Sequence, residues 1–229
     1  MARLPKTEIP KFPDLRFESP LWSKGVTAVA GLDEAGRGAW AGPVSAAAVV
    51  LPTENGLLER LHGVRDSKQM TVRQRSVWAD QIRAAALAWG VGFAEASEVD
   101  ALGIVPATRL AMERALAGCG CVVEHLLVDA LRLPGVNLPQ QALIKGDARS
   151  LSIAAASVLA KTARDALMQE MDEVFPGYGF ARHKGYGTAV HRAGLDGLGP
   201  CRIHRFSFAP VREVVLANAA QGSEPIRGC

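Results

Sequence analysis

Three apolar runs in this chain each pass into an acid. Val26-Thr-Ala-Val-Ala-Gly-Leu32 leads into Asp33-Glu34, and Glu124-His-Leu-Leu-Val128 into Asp129. Gln141-Ala-Leu-Ile144 leads, by way of Lys145-Gly146, into Asp147. Short apolar runs bounded by turn residues read as strands. In an open α/β sheet, functional groups collect beyond the carboxyl ends of the strands. Asp33, Glu34, Asp129 and Asp147 can therefore meet in space although they are far apart in sequence. Carboxylates held together repel unless cations neutralise them, and an all-oxygen donor set favours Mg2+ or Mn2+ over zinc. Two such ions about 3.5–4 Å apart could activate a water and stabilise the leaving oxygen of a phosphodiester. A single strand-end Asp is more often a plain turn former; three in one chain, one of them beside a Glu in a glycine-rich turn, is less ordinary.

The elements that must position these acids follow from the apolar pattern. After the first strand comes a glycine-dense turn, Gly36-Arg37-Gly38, and then a buried strand, Pro43-Val-Ser-Ala-Ala-Ala-Val-Val-Leu51. Thr71-Val-Arg-Gln74 has the pattern of a capping box and opens a helix to about Ala88. Trp89 to Ala94 reads as a strand, and Ser97-Glu-Val-Asp100 begins a helical region reaching about Leu116. The longest helical run extends from Leu151 to Glu173, and a last amphipathic piece covers Pro210 to Ala219. Strands interleaved with helices predict an α/β domain on a central sheet. The expected organisation is a loose, proline-rich arm over 1–25, a catalytic domain over 26–174, a helical C-terminal subdomain over 175–220 and a frayed tail over 221–229.

The chain has 229 residues, 48% of them hydrophobic and 21% charged, which suits a packed domain and not a disordered one. Net charge is only +3, so nucleic-acid binding rests on where charge is placed. Arg182, Lys184, Arg192, Arg202 and Arg205 gather in the last quarter with His183, His191 and His204, and are read as a basic, phosphate-facing surface. Cys119, Cys121, Cys201 and Cys229 match neither a zinc spacing nor a disulfide framework and read as free thiols. No apolar stretch approaches a membrane span, and the first residues carry four prolines instead of a signal-peptide core. The expected setting is the cytoplasm. Gly36-Arg37-Gly38 lacks the spacing of a dinucleotide fingerprint or a P-loop; it reads as a chain reversal or a place where backbone amides and an Arg approach a phosphate or sugar.

Taken in order, Gly31-Leu-Asp-Glu-Ala-Gly-Arg-Gly38, Asp66-Ser-Lys68, Val128-Asp129, Lys145-Gly-Asp147, Ile153-Ala-Ala-Ala-Ser-Val-Leu-Ala-Lys161, Arg164-Asp165 and His183-Lys-Gly-Tyr-Gly-Thr188 closely resemble ribonuclease HII. The resemblance spans roughly residues 26–212. It implies the ribonuclease H-like fold, a mixed five-stranded sheet flanked by helices with a helical C-terminal subdomain. It implies hydrolysis of the RNA strand of RNA–DNA hybrids, and incision 5′ to a ribonucleotide embedded in duplex DNA, leaving 3′-hydroxyl and 5′-phosphate ends. Asp33, Glu34, Asp129 and Asp147 match the family's acidic, metal-binding site. Gly36, Arg37 and Gly38 match the loop that reads the ribose 2′-OH, and Tyr186 matches the tyrosine that packs on the neighbouring deoxyribose. Asp66, Ser67 and Lys68 match a substrate-side loop, and Lys184, from the basic stretch, is expected to contact substrate phosphate. Ala130 departs from the Gly usual after the strand-end Asp. The segment after Val215 lacks the paired aromatics of a clamp-binding motif, and the chain is read as a monomer.

Other residues take blander readings. Ser157 is expected to pack, Lys161 to be solvated or to face phosphate, and Asp165 to make helix-surface or subdomain contacts. His183 and His204 are expected to face substrate as donors. Trp22, Trp40, Trp78 and Trp89 are expected in the core or an interface. Two alternatives stay open at this point. One is another nuclease of the same fold, such as a junction resolvase or transposase-type enzyme. The other is a catalytically silent hybrid-binding module.

Overall fold

The structure is a computed structural model and describes residues 9–220. Five strands form one mixed sheet: β1 (Val29–Ala35), β2 (Val44–Val50), β3 (Ala88–Ala94), β4 (His125–Asp129) and β5 (Gln140–Leu143), in the order β3-β2-β1-β4-β5. β1 pairs antiparallel with β2 and parallel with β4, and β4 pairs parallel with β5. This places the carboxyl ends of β1, β4 and β5 at the same edge of the domain. The sheet lies between two helical layers. Side chains alternate along a strand, so Ala46 and Ala48 of β2 join one core while Ala47 and Val49 join the other. That is why β2 is buried along its whole length.

On one face, α5 (Ile104–Ala117) covers β2 and β3. On the other, α6 (Leu151–Val174) crosses β1 and β2, with α3 (Val72–Ala85) beside it. Ser150 caps α6 by accepting the Ile153 amide at 3.3 Å. Thr71 caps α3, with the full capping box present. α6 can approach β1 closely because of Gly31: a Cβ there would sit 2.2 Å from the Ser152 carbonyl carbon. Asp33 shares the face of Gly31 and is thereby aimed at α6. Three helices follow α6: α7 (Phe180–His183), α8 (Ala189–Leu198) and α9 (Ala209–Ala220). Phe175, Tyr178 and Phe180 pack with Met168 of α6 and with Ala41, which ties this C-terminal region to the loop after β1.

Several expectations are corrected. Residues 9–25 are not a loose arm, and residues 1–8 of that arm lie outside the described residues. The segment includes the short helix α1 (Ser19–Trp22). Glu18 is buried, and its Oε1 accepts bonds from the hydroxyls of Ser150 and Ser152, each at 2.6 Å. The helical region after β3 is two helices, α4 (Ala96–Leu102) and α5, separated by Gly103. The short helix α2 (Leu57–Arg60), between β2 and α3, was not anticipated. β1 runs on through Asp33 and Glu34 because β2 continues to pair with it, Asp33 opposite Ala47 and Glu34 opposite Ala46. Trp22, Trp40 and Trp78 pack partly buried against the apolar clusters, as expected, while Trp89 is partly exposed beneath Arg83. Cys119, Cys121 and Cys201 are free thiols; Cys229 and the tail 221–229 lie outside the described residues. No helix among the described residues is long and apolar enough to cross a membrane.

Candidate active site

Leu32 of β1 pairs with Val128 of β4, so Asp33 and Asp129 follow on neighbouring rungs of two parallel strands. Asp147 arrives in a 3-10 turn, Gly146–Ala148, directly after β5. The turn is fastened to β4 by the Gly146 amide, which donates to Asp129 Oδ1 at 2.7 Å. Asp33 is 3% exposed. Its Oδ1 accepts the Glu34 amide at 2.8 Å, while its Oδ2 is buried with no hydrogen-bond partner. Glu34 Oε1 takes Arg37 Nη1 at 3.1 Å, and its Oε2 is also buried without a partner.

The electrostatics are those of crowded acids. Burial, then the charges of Glu34, Asp129 and Asp147, push the Asp33 carboxyl well above its ordinary range, with the nearby Ser157 hydroxyl opposing the shift. Burial raises Glu34 although Arg37 opposes the shift. Burial likewise raises Asp129 against the Gly146 amide. Asp147 is pushed up to about 6 by burial and by Asp129. Among the described residues the cation paired with Asp147 is Lys68, with Nζ 3.8 Å from Oδ2 and a side chain 76% exposed, so it neutralises little. Among the described residues no three acidic, His or Cys side chains already close into a metal shell. The fit to a divalent cation rests instead on four raised carboxyls, two orphaned buried oxygens and an all-oxygen donor set.

A cleft of about 370 Å3 opens beside these acids. Glu34, Gly36, Arg37 and Gly38 form one wall, Ser67 and Lys68 another, and Tyr186 faces them with Lys161. Gly36 has φ 90°, and a Cβ on it would lie 2.0 Å from Arg164 Nε, so a side chain is excluded there twice over. At Gly38 a Cβ would meet nothing within 4 Å; that backbone is open to a ligand. Asp66 stays out of the cleft and caps the turn that carries Ser67 and Lys68, accepting the Lys68 amide at 2.9 Å. Ser67 and Ser157 share a hydrogen bond of 3.0 Å. Ser157 is buried as expected, and it links this turn to Asp33.

Much of the expected basic surface turns inward. Arg205 is fully buried and donates to the carbonyls of Arg37 at 2.9 Å and Gly42 at 3.0 Å. Lys184 is 8% exposed, with its ammonium on the Ala181 carbonyl. His183 and His204 are buried, with their ring nitrogens taken up by protein groups and not left free as donors. Arg192 is occupied by Asp196 and Glu213, and Arg202 lies over the Phe175 ring. Asp165 is not a surface residue; it is buried and holds Lys161 at 2.6 Å and Arg75 at 3.0 Å, joining α6 to α3.

Sequence reasoning did not single out Arg164 as a buried clamp. It is fully buried and donates to Pro43 O, Lys184 O and Ala41 O at 2.8, 2.8 and 3.0 Å. It thus pins the loop after β1 to the turn that presents Tyr186. The signal was its spacing: Ala160, Arg164 and Met168 fall four apart on the buried stripe of α6.

Ala130, directly after Asp129, has φ 52°. An L-residue there is strained by about 1 kcal/mol or more, partly offset in a Gly variant by added unfolded-state entropy. Ala130→Gly is therefore expected to stabilise the protein by about 0.5–1 kcal/mol in urea unfolding; a destabilised variant would show that the left-handed backbone here is not strained.

The family model described as Ribonuclease HII matches residues 30–211. Ribonuclease HII of Chloroflexus aurantiacus is 54% identical over 206 residues, 90% of this chain and 97% of that protein. The ribonuclease H2 structure from Pyrococcus horikoshii OT3 superposes with a TM-score of 0.69 at 24% identity, over 82% of this chain and 97% of that one. A ribonuclease HIII structure in complex with Mn2+ superposes with a TM-score of 0.67 at 16% identity, covering 86% and 72%. With a matched model over most of its length and relatives above half identity, the chain belongs to the ribonuclease HII family and is a nuclease of the ribonuclease H class.

Proposed function

We propose that this protein hydrolyses the RNA strand of RNA–DNA hybrids and cuts 5′ to ribonucleotides embedded in duplex DNA, leaving 3′-hydroxyl and 5′-phosphate ends. The observation that carries the reading is one electrostatically linked set of four carboxylates beside a cleft lined by Gly36, Arg37, Gly38 and Tyr186. Asp33, Glu34, Asp129 and Asp147 would hold Mg2+ or Mn2+, which when bound supplies an activated water and stabilises the leaving oxygen. The chain's own residues then do the positioning. The open backbone at Gly38 lets a sugar edge approach, and a 2′-OH offers that backbone both a donor and an acceptor. Arg37, 3.1 Å from Glu34, and the exposed Lys68 lie where phosphates would enter. Lys161, beside Tyr186 in the same cleft, adds positive charge to that path. Tyr186 presents its ring to the sugar next to the cut. The C-terminal region contributes mainly by presenting that ring, and the protein is taken to act as a cytoplasmic monomer.

A silent hybrid-binding module fits poorly, because clustered carboxylates repel a phosphate backbone unless cations intervene. The test is cleavage of an RNA–DNA hybrid in chelator, then with Mg2+ or Mn2+ restored. Activity is expected to disappear in chelator and to return with either ion. Undiminished cutting in chelator would refute the metal assignment.

A further inference from the structure

Tyr186 sits at the tip of a short turn, and buried histidines stand behind that turn. His191 Nδ1 lies 3.0 Å from the Tyr186 carbonyl oxygen, which also accepts the Thr188 amide at 2.9 Å. His191 Nε2 lies 3.1 Å from His204 Nε2. At the far end, the Cys201 amide lies 3.0 Å from His204 Nδ1. Both rings are fully buried, and burial pushes each down to about 4, so both are neutral at physiological pH.

The protons of this chain can be placed in order. A backbone amide can only donate, so His204 Nδ1 accepts from Cys201 and the ring proton of His204 is on Nε2. The Cys201 carbonyl and thiol also lie near this Nδ1, at 3.2 and 3.1 Å, but the Cys201 amide hydrogen aimed at that nitrogen leaves no room for a ring proton on it. His204 Nε2 therefore donates to His191 Nε2. That leaves the proton of His191 on Nδ1, where it donates to the Tyr186 carbonyl. Each step follows from the one before it, and the direction runs from the Cys201 turn to Tyr186.

We propose that His204 and His191 form a fixed, proton-ordered relay that holds the Tyr186 turn at the height its ring needs over the cleft, making both histidines positioning residues for the choice of cut site. This rests on the proposed role of Tyr186 and goes beyond it, since neither ring touches the cleft. Two further contacts show how the turn is gripped. His183 accepts the Gly185 amide at 3.2 Å, and the His183 and His191 rings stack at 4.6 Å. The relay bond to Tyr186 is the one contact in this set that comes from the α8 side chains to the tyrosine's own carbonyl.

The test compares three variants of His191, because side-chain amides mimic the two ring nitrogens separately. Asn places its NH2 near the position of Nδ1, Gln places its NH2 near Nε2, and Ala supplies neither. The readout is the ratio of incision rates at a lone ribonucleotide in DNA and within a run of ribonucleotides, with kcat and KM resolved and thermal midpoints recorded. Loss of one hydrogen bond corresponds to about a five- to tenfold fall in that ratio, expected in full for His191→Ala and His191→Gln and only in part for His191→Asn, which keeps the bond to Tyr186 but cannot accept from His204. Equal loss in the Asn and Ala variants, or no loss in any, overturns the relay. Tyr186→Ala is run alongside. If it lowers the ratio while His191→Ala does not, only the relay fails. If Tyr186→Ala leaves the ratio unchanged, the reading of Tyr186 fails and the relay's purpose with it. Should a His191 variant not fold, nitrogen-15 NMR of the unmodified protein decides the point. His204 protonated at Nε2 and His191 at Nδ1 is expected, and the opposite pair of tautomers overturns the proposal.

Discussion

Replacing Asp33 with Asn is expected to give a protein that unfolds at higher urea and cuts at least about a hundredfold more slowly. The two effects have one cause. Asp33 is buried, one of its oxygens has no partner, and its charge is opposed by Glu34, Asp129 and Asp147. Its carboxyl is raised in the folded state, so the folded protein holds a proton more tightly than the unfolded chain does. Stability without metal then falls as pH rises through the window between the unfolded and folded values. For Asp147 that window runs from 3.8 to about 6. Above it, the ionised acids are a standing cost. Asn keeps an oxygen for the Glu34 amide but carries no charge, so a gain of about 0.5–2 kcal/mol at neutral pH in chelator is expected. The same change removes a metal ligand. Urea unfolding in chelator measures the first effect, and single-turnover cleavage with Mn2+ measures the second. A variant that is less stable and fully active would contradict the electrostatic reading of the site.

Tyr186→Ala is expected to be the most damaging change on the substrate side of the cleft. The ring is 37% exposed and open to a ligand, with the Lys161 ammonium and the Arg164 guanidinium each 5.5 Å from its centre. The two cations restrain the ring, Arg164 from the buried side and Lys161 from within the cleft. Losing an aromatic platform of this kind costs on the order of 1–3 kcal/mol, about five- to 150-fold in rate if it is felt in the transition state. The loss should fall on incision at a lone ribonucleotide, with metal affinity unchanged. Tyr186→Phe separates the ring from the hydroxyl: near-normal cutting assigns the effect to the ring. Equal rates for the Ala variant and the parent on matched duplexes with one ribonucleotide or a run of them would make the tyrosine structural.

The sheet was legible in its short, largely apolar runs bounded by turn residues, and the acids in the three of those runs that lead into Asp33, Asp129 and Asp147. The strain at Ala130 was legible too, as a departure from glycine at a position with φ 52°. The buried cations were not. Arg164 and Arg205 look like surface charge in a sequence, and all but one of the carbonyls they hold lie 121–168 positions away, which no local pattern reports. The same holds for Glu18, whose partners Ser150 and Ser152 lie 132 and 134 residues further on. A proline-rich segment with scattered charges reads as loose until those serines are brought beside it. The histidines misled for a related reason. Next to Arg182, Lys184 and Arg205 they suggested a wet, basic surface, whereas neutral imidazoles pair with one another in a dry interior.

The most direct measurement maps the ends produced from a DNA duplex carrying one ribonucleotide, with the parent protein and Asp129→Asn in parallel. Asp129 is the suitable probe because it joins β4 to the turn that bears Asp147, and Asn preserves that acceptor. The expected result is one metal-dependent cut on the 5′ side of the ribonucleotide by the parent, with 3′-hydroxyl and 5′-phosphate ends, and no cut by the variant. Cutting by Asp129→Asn at the parent's rate, or equal cutting of an all-DNA duplex by the parent, would contradict it.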